Sequence, residues 1–305
     1  THFATAVALH DRDPQRFPGL GDGTGTNLFW QYKHAAHTIA LSCVFPRAQA
    51  DTVLDEMEAH FRAAGAPETS VDIARRDDAV VNGDVETALA LQTRIDASDG
   101  HDLDNECPTC RLAGRFDLAV RVGDLQTAHG LLMQILDHGR TPCPVQPEMA
   151  LADFMLITLR HGDPDFAAYA QRTSAAANVR FQSPDSVGRH MEFLGVTGNY
   201  TRGLGLLERY QRDLLSDPLD TFSHFGFLSG ALVLLTATDR AGFGDVVVSG
   251  SGAPDLVRFF GSQNAPGTGS AGSAGSAGSA GSADHTVRDL AHRCRVAVED
   301  LARRY

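Results

Sequence analysis

The sequence predicts an all-α fold, a right-handed α-solenoid of stacked antiparallel helix pairs, on three observations. Four turn motifs recur along the chain, "NGDVETALAL", "VGDLQTAHGL", "HGDPDFAAYA" and "TGNYTRGLGL". Their glycines, Gly83, Gly123, Gly162 and Gly198, stand 40, 39 and 36 residues apart, a spacing that marks a repeat architecture. After each turn the apolar residues return at helical spacing, as in Leu125, Leu131, Leu132, Ile135 and Leu136.

Each motif has a physical reading. The glycine ends one helix by taking a positive φ at its C-cap, where a side chain would strain the backbone. The next residue, Asp84, Asp124, Asp163 or Asn199, caps the following helix through its side-chain oxygen. Five residues after each glycine stands a small residue, Ala88, Ala128, Ala167 or Gly203, which lets two antiparallel helices approach closely. The expected pairs are 27–44 with 47–64, 70–81 with 84–97, 109–121 with 124–138, 148–160 with 164–178, and 185–196 with 199–215. A further helix is expected from Asp220 to Asp239, and "AGFGDVVVSGSGA" after it is too rich in glycine to continue it.

The turn G-D-x-x-x-A inside a helical pair resembles the tetratricopeptide repeat. The resemblance covers roughly residues 70–215, and "FPRAQADTVL" (Phe45–Leu54) stands as part of an earlier unit. It implies a tetratricopeptide-like solenoid of five or six pairs with a concave, ligand-holding face. Four regions follow: a flexible lead-in over 1–26, the solenoid over 27–260, a Gly/Ser/Ala-rich linker over 261–283 and an amphipathic helix over 284–305. The linker holds five GSA triplets from Gly269 to Ala283, a composition that cannot bury a core. It is either an inserted linker or a slippage repeat of a GC-rich gene. In the tail, Val287, Leu290, Cys294, Val298, Leu301 and Tyr305 form an apolar stripe. That helix is either the next solenoid helix after a long loop or a tethered ligand for the solenoid's own groove.

Composition narrows the partners. A net charge of −12 argues against nucleic acid and against anionic membrane surfaces, which select clustered Lys and Arg. Lys33 is the one lysine among 26 basic Lys and Arg residues, a bias expected of a GC-rich bacterial gene. The longest apolar run, "GALVLL", is far short of a membrane span. An odd number of cysteines, five, without a secretory leader points to the reducing cytoplasm. The opening at Thr1 rather than Met leaves room for an upstream piece and for a sensory domain cut from a larger regulator.

"NECPTC" carries Cys107 and Cys110 at C-x-x-C spacing, in the connection between two helix pairs, and Cys143 lies in the next such connection. Connections of this kind share one edge of a solenoid, so the three thiols are expected close together. Two thiolates at that spacing chelate one zinc ion, Cys143 supplies a third ligand, and His138, His101 or the more distant His190 a fourth. The alternatives are unliganded thiols and a redox dithiol, the latter without the βαβ pattern that usually accompanies it. Cys43 and Cys294 sit on apolar helical faces and read as core.

Other candidates carry less. "GLGDGTGTN" (Gly19–Asn27) is rich in glycine but lacks the G-K-[ST] ending of a phosphate loop. His34 and His37 stand three apart on one helix and can chelate or simply pack, and Trp30 and Tyr32 precede them as an aromatic patch or an N-terminal core. Arg76, Arg115, Arg189 and His190 fall in first helices of pairs, where a charged row can clamp a peptide or merely face solvent. No nucleophile with a base partner is present. The expected function is therefore a non-catalytic protein- or peptide-binding scaffold or regulatory adaptor with a structural zinc clasp. The alternative is a metal- or thiol-dependent redox protein or enzyme using Cys107, Cys110 and Cys143.

Overall fold

A computed structural model describes residues 2–17, 28–66, 68–98, 107–138, 143, 145–177, 183–215, 220–253, 256, 259 and 284–305. The expected linker over 261–283 lies outside them. Among the described residues every regular element is helical. The chain divides into two compact units, Thr1–Ala150 with Pro218–Asp220, and Leu151–Asp217 with Thr221–Tyr305.

The first unit opens with α1 (His2–Arg12), where a flexible lead-in over 1–26 was expected. Phe3 and Val7, one turn apart, give α1 an apolar edge that packs on the core beneath it. That core joins α2 (Leu28–Ala40), α3 (Arg47–Ala63) and the start of α4 (Thr69–Val81) through Phe29, Tyr32, Leu54, Met57, Phe61 and Val71. The Phe29 and Phe61 rings meet edge to face at 4.8 Å, and Phe3 meets Tyr32 likewise at 5.1 Å. Arg47 ties the start of α3 to α4 by donating two hydrogen bonds of 2.6 Å to the buried carboxylate of Asp78.

Two hairpins complete this unit, α4 with α5 (Val85–Ala97) and α6 (Pro108–Arg121) with α7 (Leu125–Asp137). Their turns share one backbone pattern. Gly83 and Gly123 take φ of 73° and 78°. The amides of Asp84 and Asp124 donate back to Ala79 and Ala119 at 2.9 Å, which satisfies the last carbonyls of α4 and α6. Asp84 and Asp124 then accept the amides of Thr87 and Thr127 at 3.1 and 3.0 Å. The small residues that follow, Ala88 and Ala128, are fully buried.

The second unit repeats this logic at Asp163, which accepts the Phe166 amide at 3.0 Å, whereas Asn199 does not cap its helix as expected and instead donates its side-chain amide to Thr197. α8 (Glu148–Arg160) and α9 (Pro164–Ala177) meet at Gly162, and α10 (Pro184–Val196) and α11 (Tyr200–Tyr210) at Gly198, with φ of 84° and 73°. A short 3-10 turn, Gln211–Leu214, ends α11. α12 (Thr221–Thr238) is apolar on all sides because neighbours cover it: α10 and α11, and the C-terminal helix α13 (Val287–Ala302). Glycine permits the closest of these approaches. A Cβ on Gly188 would overlap the Gly226 carbonyl, and one on Gly230 would overlap that of Gly188. The stretch Thr221–Phe243 is by length and composition apolar enough to cross a membrane, yet half of it is buried inside the fold. Its last five residues, Asp239–Phe243, form a π turn that closes at Gly242, φ 93°.

α13 starts with a reciprocal cap between Thr286 and Asp289. Arg288 donates to Asp239 and Asp245 at 3.0 and 2.7 Å. The expected stripe packs on α12 through the buried residues Val287, Leu290, Cys294 and Leu301, and the Tyr305 hydroxyl lies 2.9 Å from that of Thr221.

Gly203 and Gly205 separate packing from propensity within one helix. A Cβ at 203 would overlap the Leu234 side chain, whereas at 205 nothing lies within 4 Å. Gly203→Ala is expected to destabilise the protein by about 1–3 kcal/mol through overpacking. Gly205→Ala should be neutral or stabilising by up to about 1 kcal/mol, since alanine is the better helix former. Urea denaturation of the two variants checks this directly.

Candidate metal centre

The sulfurs of Cys107, Cys110 and Cys143 lie within 4.8 Å of one another. Local chemistry sets the first two. Cys107 is the N-cap of α6, Pro108 holds the first helical position with a ring already suited to it, and Cys110 completes the first turn. The Cys110 amide donates to the Cys107 sulfur at 3.4 Å, so the two side chains lie on one side of the helix start. Cys143 arrives from 33 residues later, after α6 and α7 have run out and back, and its sulfur stands 3.4 Å from that of Cys110. All three are half-buried thiols, not disulfides. Three sulfurs on a tetrahedral zinc with bonds near 2.3 Å stand about 3.8 Å apart, so the arrangement needs only a small adjustment to hold such an ion.

The electrostatics point the same way. Burial opposes ionisation of Cys107, but the Cys110 amide, the two neighbouring thiols and the Thr109 amide outweigh it and bring that thiol below its ordinary range. The start of α6 adds its partial positive charge. Cys110 is pushed the other way, by burial first and then by Cys107 and Cys143. A thiolate is favoured at Cys107 and opposed at Cys110, a conflict that a bound cation would remove.

The sulfurs open onto a cavity of about 390 Å³. Its α2 wall presents Trp30, Lys33, His34 and His37, and its α4 wall presents Ile73, Ala74 and Asp77. The Trp30 and His34 rings meet edge to face at 4.7 Å, and the Lys33 ammonium lies 5.5 Å from the centre of the Trp30 ring. His34 is held below its ordinary pKa by burial, then by the charges of Lys33 and His37. His37 Nδ1 lies 3.6 Å from Asp77 Oδ2, while the other Asp77 oxygen accepts two hydrogen bonds from Arg76 at 3.0 and 2.6 Å.

The remaining expected residues are placed elsewhere. His138 is the exposed C-cap of α7 and is not in the sulfur cluster; the last turn of α7 aims it at solvent. His101 lies outside the described residues. Two members of the expected peptide-binding row, Arg76 and His190, are buried. Arg76 is 4% exposed, donates to Gln92 at 2.9 Å and packs its guanidinium against Gly114, where a Cβ would come within 2.8 Å. Arg115 is exposed, 3.6 Å from Asp96, and Arg189 pairs with Asp153 at 2.8 Å. His190 is 2% exposed, with Nε2 3.3 Å from the Ser174 hydroxyl. Arg76 and His190 are thus interior groups, and His190 belongs to the second unit. Cys294 is fully buried as expected, its thiol raised to about 12, while Cys43 is only half-buried.

Comparison of the chain with protein-family models, with curated proteins and with solved structures found no match.

Burial lowers the pKa of His190 from 6.5 to about 4, and its Nδ1 has no partner among the described residues. Below pH 6.5 the unfolded chain takes up a proton that the folded ring refuses. Stability from this site is full above that pH and falls as the pH drops toward 4, by up to about 3 kcal/mol. In His190→Gln that part of the acid loss should vanish. Urea titrations at pH 7 and pH 4.5 on both proteins measure the difference.

Proposed function

We propose that the protein is a cytoplasmic, non-catalytic helical-repeat scaffold whose first unit holds a zinc ion through Cys107, Cys110 and Cys143. One observation carries the reading: three sulfurs from two separate connections converge within 4.8 Å. Soft thiolates select ions such as zinc, and an ion there would clasp the start of α6 to the segment before α8. The four Gly-turn hairpins support the finer picture, a right-handed tetratricopeptide-like solenoid that presents an extended face to a protein or peptide partner. The net charge of −12 favours such a partner over nucleic acid.

A second reading, thiol–disulfide exchange, has its own support in the lowered pKa of Cys107 and the 3.4 Å approach of Cys110 to Cys143. Elemental mass spectrometry of the purified protein, with a count of native-state thiols, separates the two. The scaffold reading predicts one zinc per chain, with Cys107, Cys110 and Cys143 protected from alkylation until a chelator is added. Cys110→Ser should lose the zinc and several kcal/mol of stability, as removal of a structural metal does. Metal-free protein with a readily formed Cys110–Cys143 disulfide would overturn the zinc reading in favour of exchange chemistry.

A further inference from the structure

The three sulfurs stand between two chemical states. Around a zinc ion they would lie about 3.8 Å apart, whereas two sulfurs joined in a disulfide lie about 2.05 Å apart. Cys110 and Cys143 stand 3.4 Å apart, already inside the first spacing and within about 1.4 Å of the second. This pair also joins different connections, since Cys110 belongs to the first turn of α6 and Cys143 precedes α8. A bond between them would span the same two connections as the ion and close a loop over 33 positions of chain. Such a cross-link constrains the unfolded chain, so the fold would keep its clasp after the ion had left.

The sulfurs are also within reach of a reagent. All three are free, half-buried thiols, and they line the 390 Å³ cavity, so an oxidant that enters it meets them directly. The size falls in the range of small-molecule sites, about 300–1,000 Å³. The described wall is mostly apolar, with Trp30, Ile73, Ala74 and Val145 beside the cysteines. Such a wall favours an oxidant that carries a carbon body over one that is wholly polar.

We propose that the centre is a redox switch for organic hydroperoxides, which drive Cys110 and Cys143 into a disulfide and release the ion. This rests on the zinc reading above. In the first step one thiolate of the pair attacks the outer oxygen of the hydroperoxide and breaks the O–O bond. That sulfur becomes a sulfenic acid, and the departing alkoxide takes a proton from solvent and leaves as the alcohol. The other thiolate then attacks the sulfenic sulfur, forms the S–S bond and expels hydroxide, which takes a second proton and leaves as water. The pair of sulfurs loses two electrons and the hydroperoxide gains two. Two of the three sulfur donors are thereby withdrawn from the ion, and Cys107 is left as a thiol.

The test uses the full zinc-loaded chain, treated in parallel with cumene hydroperoxide and with hydrogen peroxide. A chromogenic indicator follows zinc release, and mass spectrometry after alkylation maps the disulfides. One equivalent of cumene hydroperoxide is expected to release one zinc and leave a Cys110–Cys143 disulfide. Cys43, Cys107 and Cys294 should remain open to alkylation once the chain is unfolded, and dithiothreitol with added zinc should restore the starting state. The rate ratio of cumene hydroperoxide to hydrogen peroxide should be about tenfold higher than free cysteine shows, the gain from seating an apolar body. A ratio equal to that of free cysteine would overturn the preference for organic hydroperoxides. Zinc retained in excess hydroperoxide would overturn the switch and leave the zinc reading standing. Release that produces sulfinic acids, or a disulfide through Cys107 in place of the Cys110–Cys143 bond, would overturn it as well. A chain that carries no zinc at the outset would remove the metal reading and the switch together.

Discussion

A left-handed glycine closes each of four helix hairpins, and much of the molecule follows from where those turns leave the chain. Gly83, Gly123, Gly162 and Gly198 all hold φ between 73° and 84°, a region that costs other residues about 1 kcal/mol or more. Fixing the turn at one end of a hairpin fixes the connections to the next hairpin at the other end. α6 and α7 have nearly equal lengths, 14 and 13 residues, so a chain leaving Cys110 along α6 is returned by α7 close to its starting height. The meeting of Cys110 and Cys143 at 3.4 Å is a consequence of that bookkeeping.

Once the sulfurs meet, their charges govern the site. The N-terminus of α6 and its amides favour a thiolate on Cys107, and that thiolate then disfavours one on Cys110. A divalent ion would turn this repulsion into shared attraction across the two connections. An ion held there would sit against a wall contributed by α2 and α4, beside the cavity that the three sulfurs line.

The helices were legible because their ends are local chemistry. The expected 70–81 and 84–97 appear as Thr69–Val81 and Val85–Ala97, since a Gly C-cap and an Asp N-cap act within a few residues. The convergence of Cys107, Cys110 and Cys143 was legible for a related reason, through the periodicity of the connections. What the sequence hid depends on how helices stack. Trp30, His34 and His37 stand at i, i+4 and i+7 on one face of α2, a signal present in the sequence, but only the packing of α2 on α4 turns that face toward the cysteines. Arg76 was misread as a surface group because an arginine in a first helix carries no mark of burial. The mark is on its neighbour, Gly114, a glycine inside a helix that makes room for the guanidinium. α1 was passed over for its glycine-rich surroundings, although Phe3 and Val7 already had the spacing of a packed edge.

The central claim is that these three sulfurs hold an ion, and X-ray absorption at the zinc edge on the purified protein tests it most directly. The account predicts a first shell dominated by three sulfurs at about 2.3 Å, lost in Cys143→Ser. A shell of nitrogen and oxygen alone, or one that survives that substitution unchanged, would contradict it.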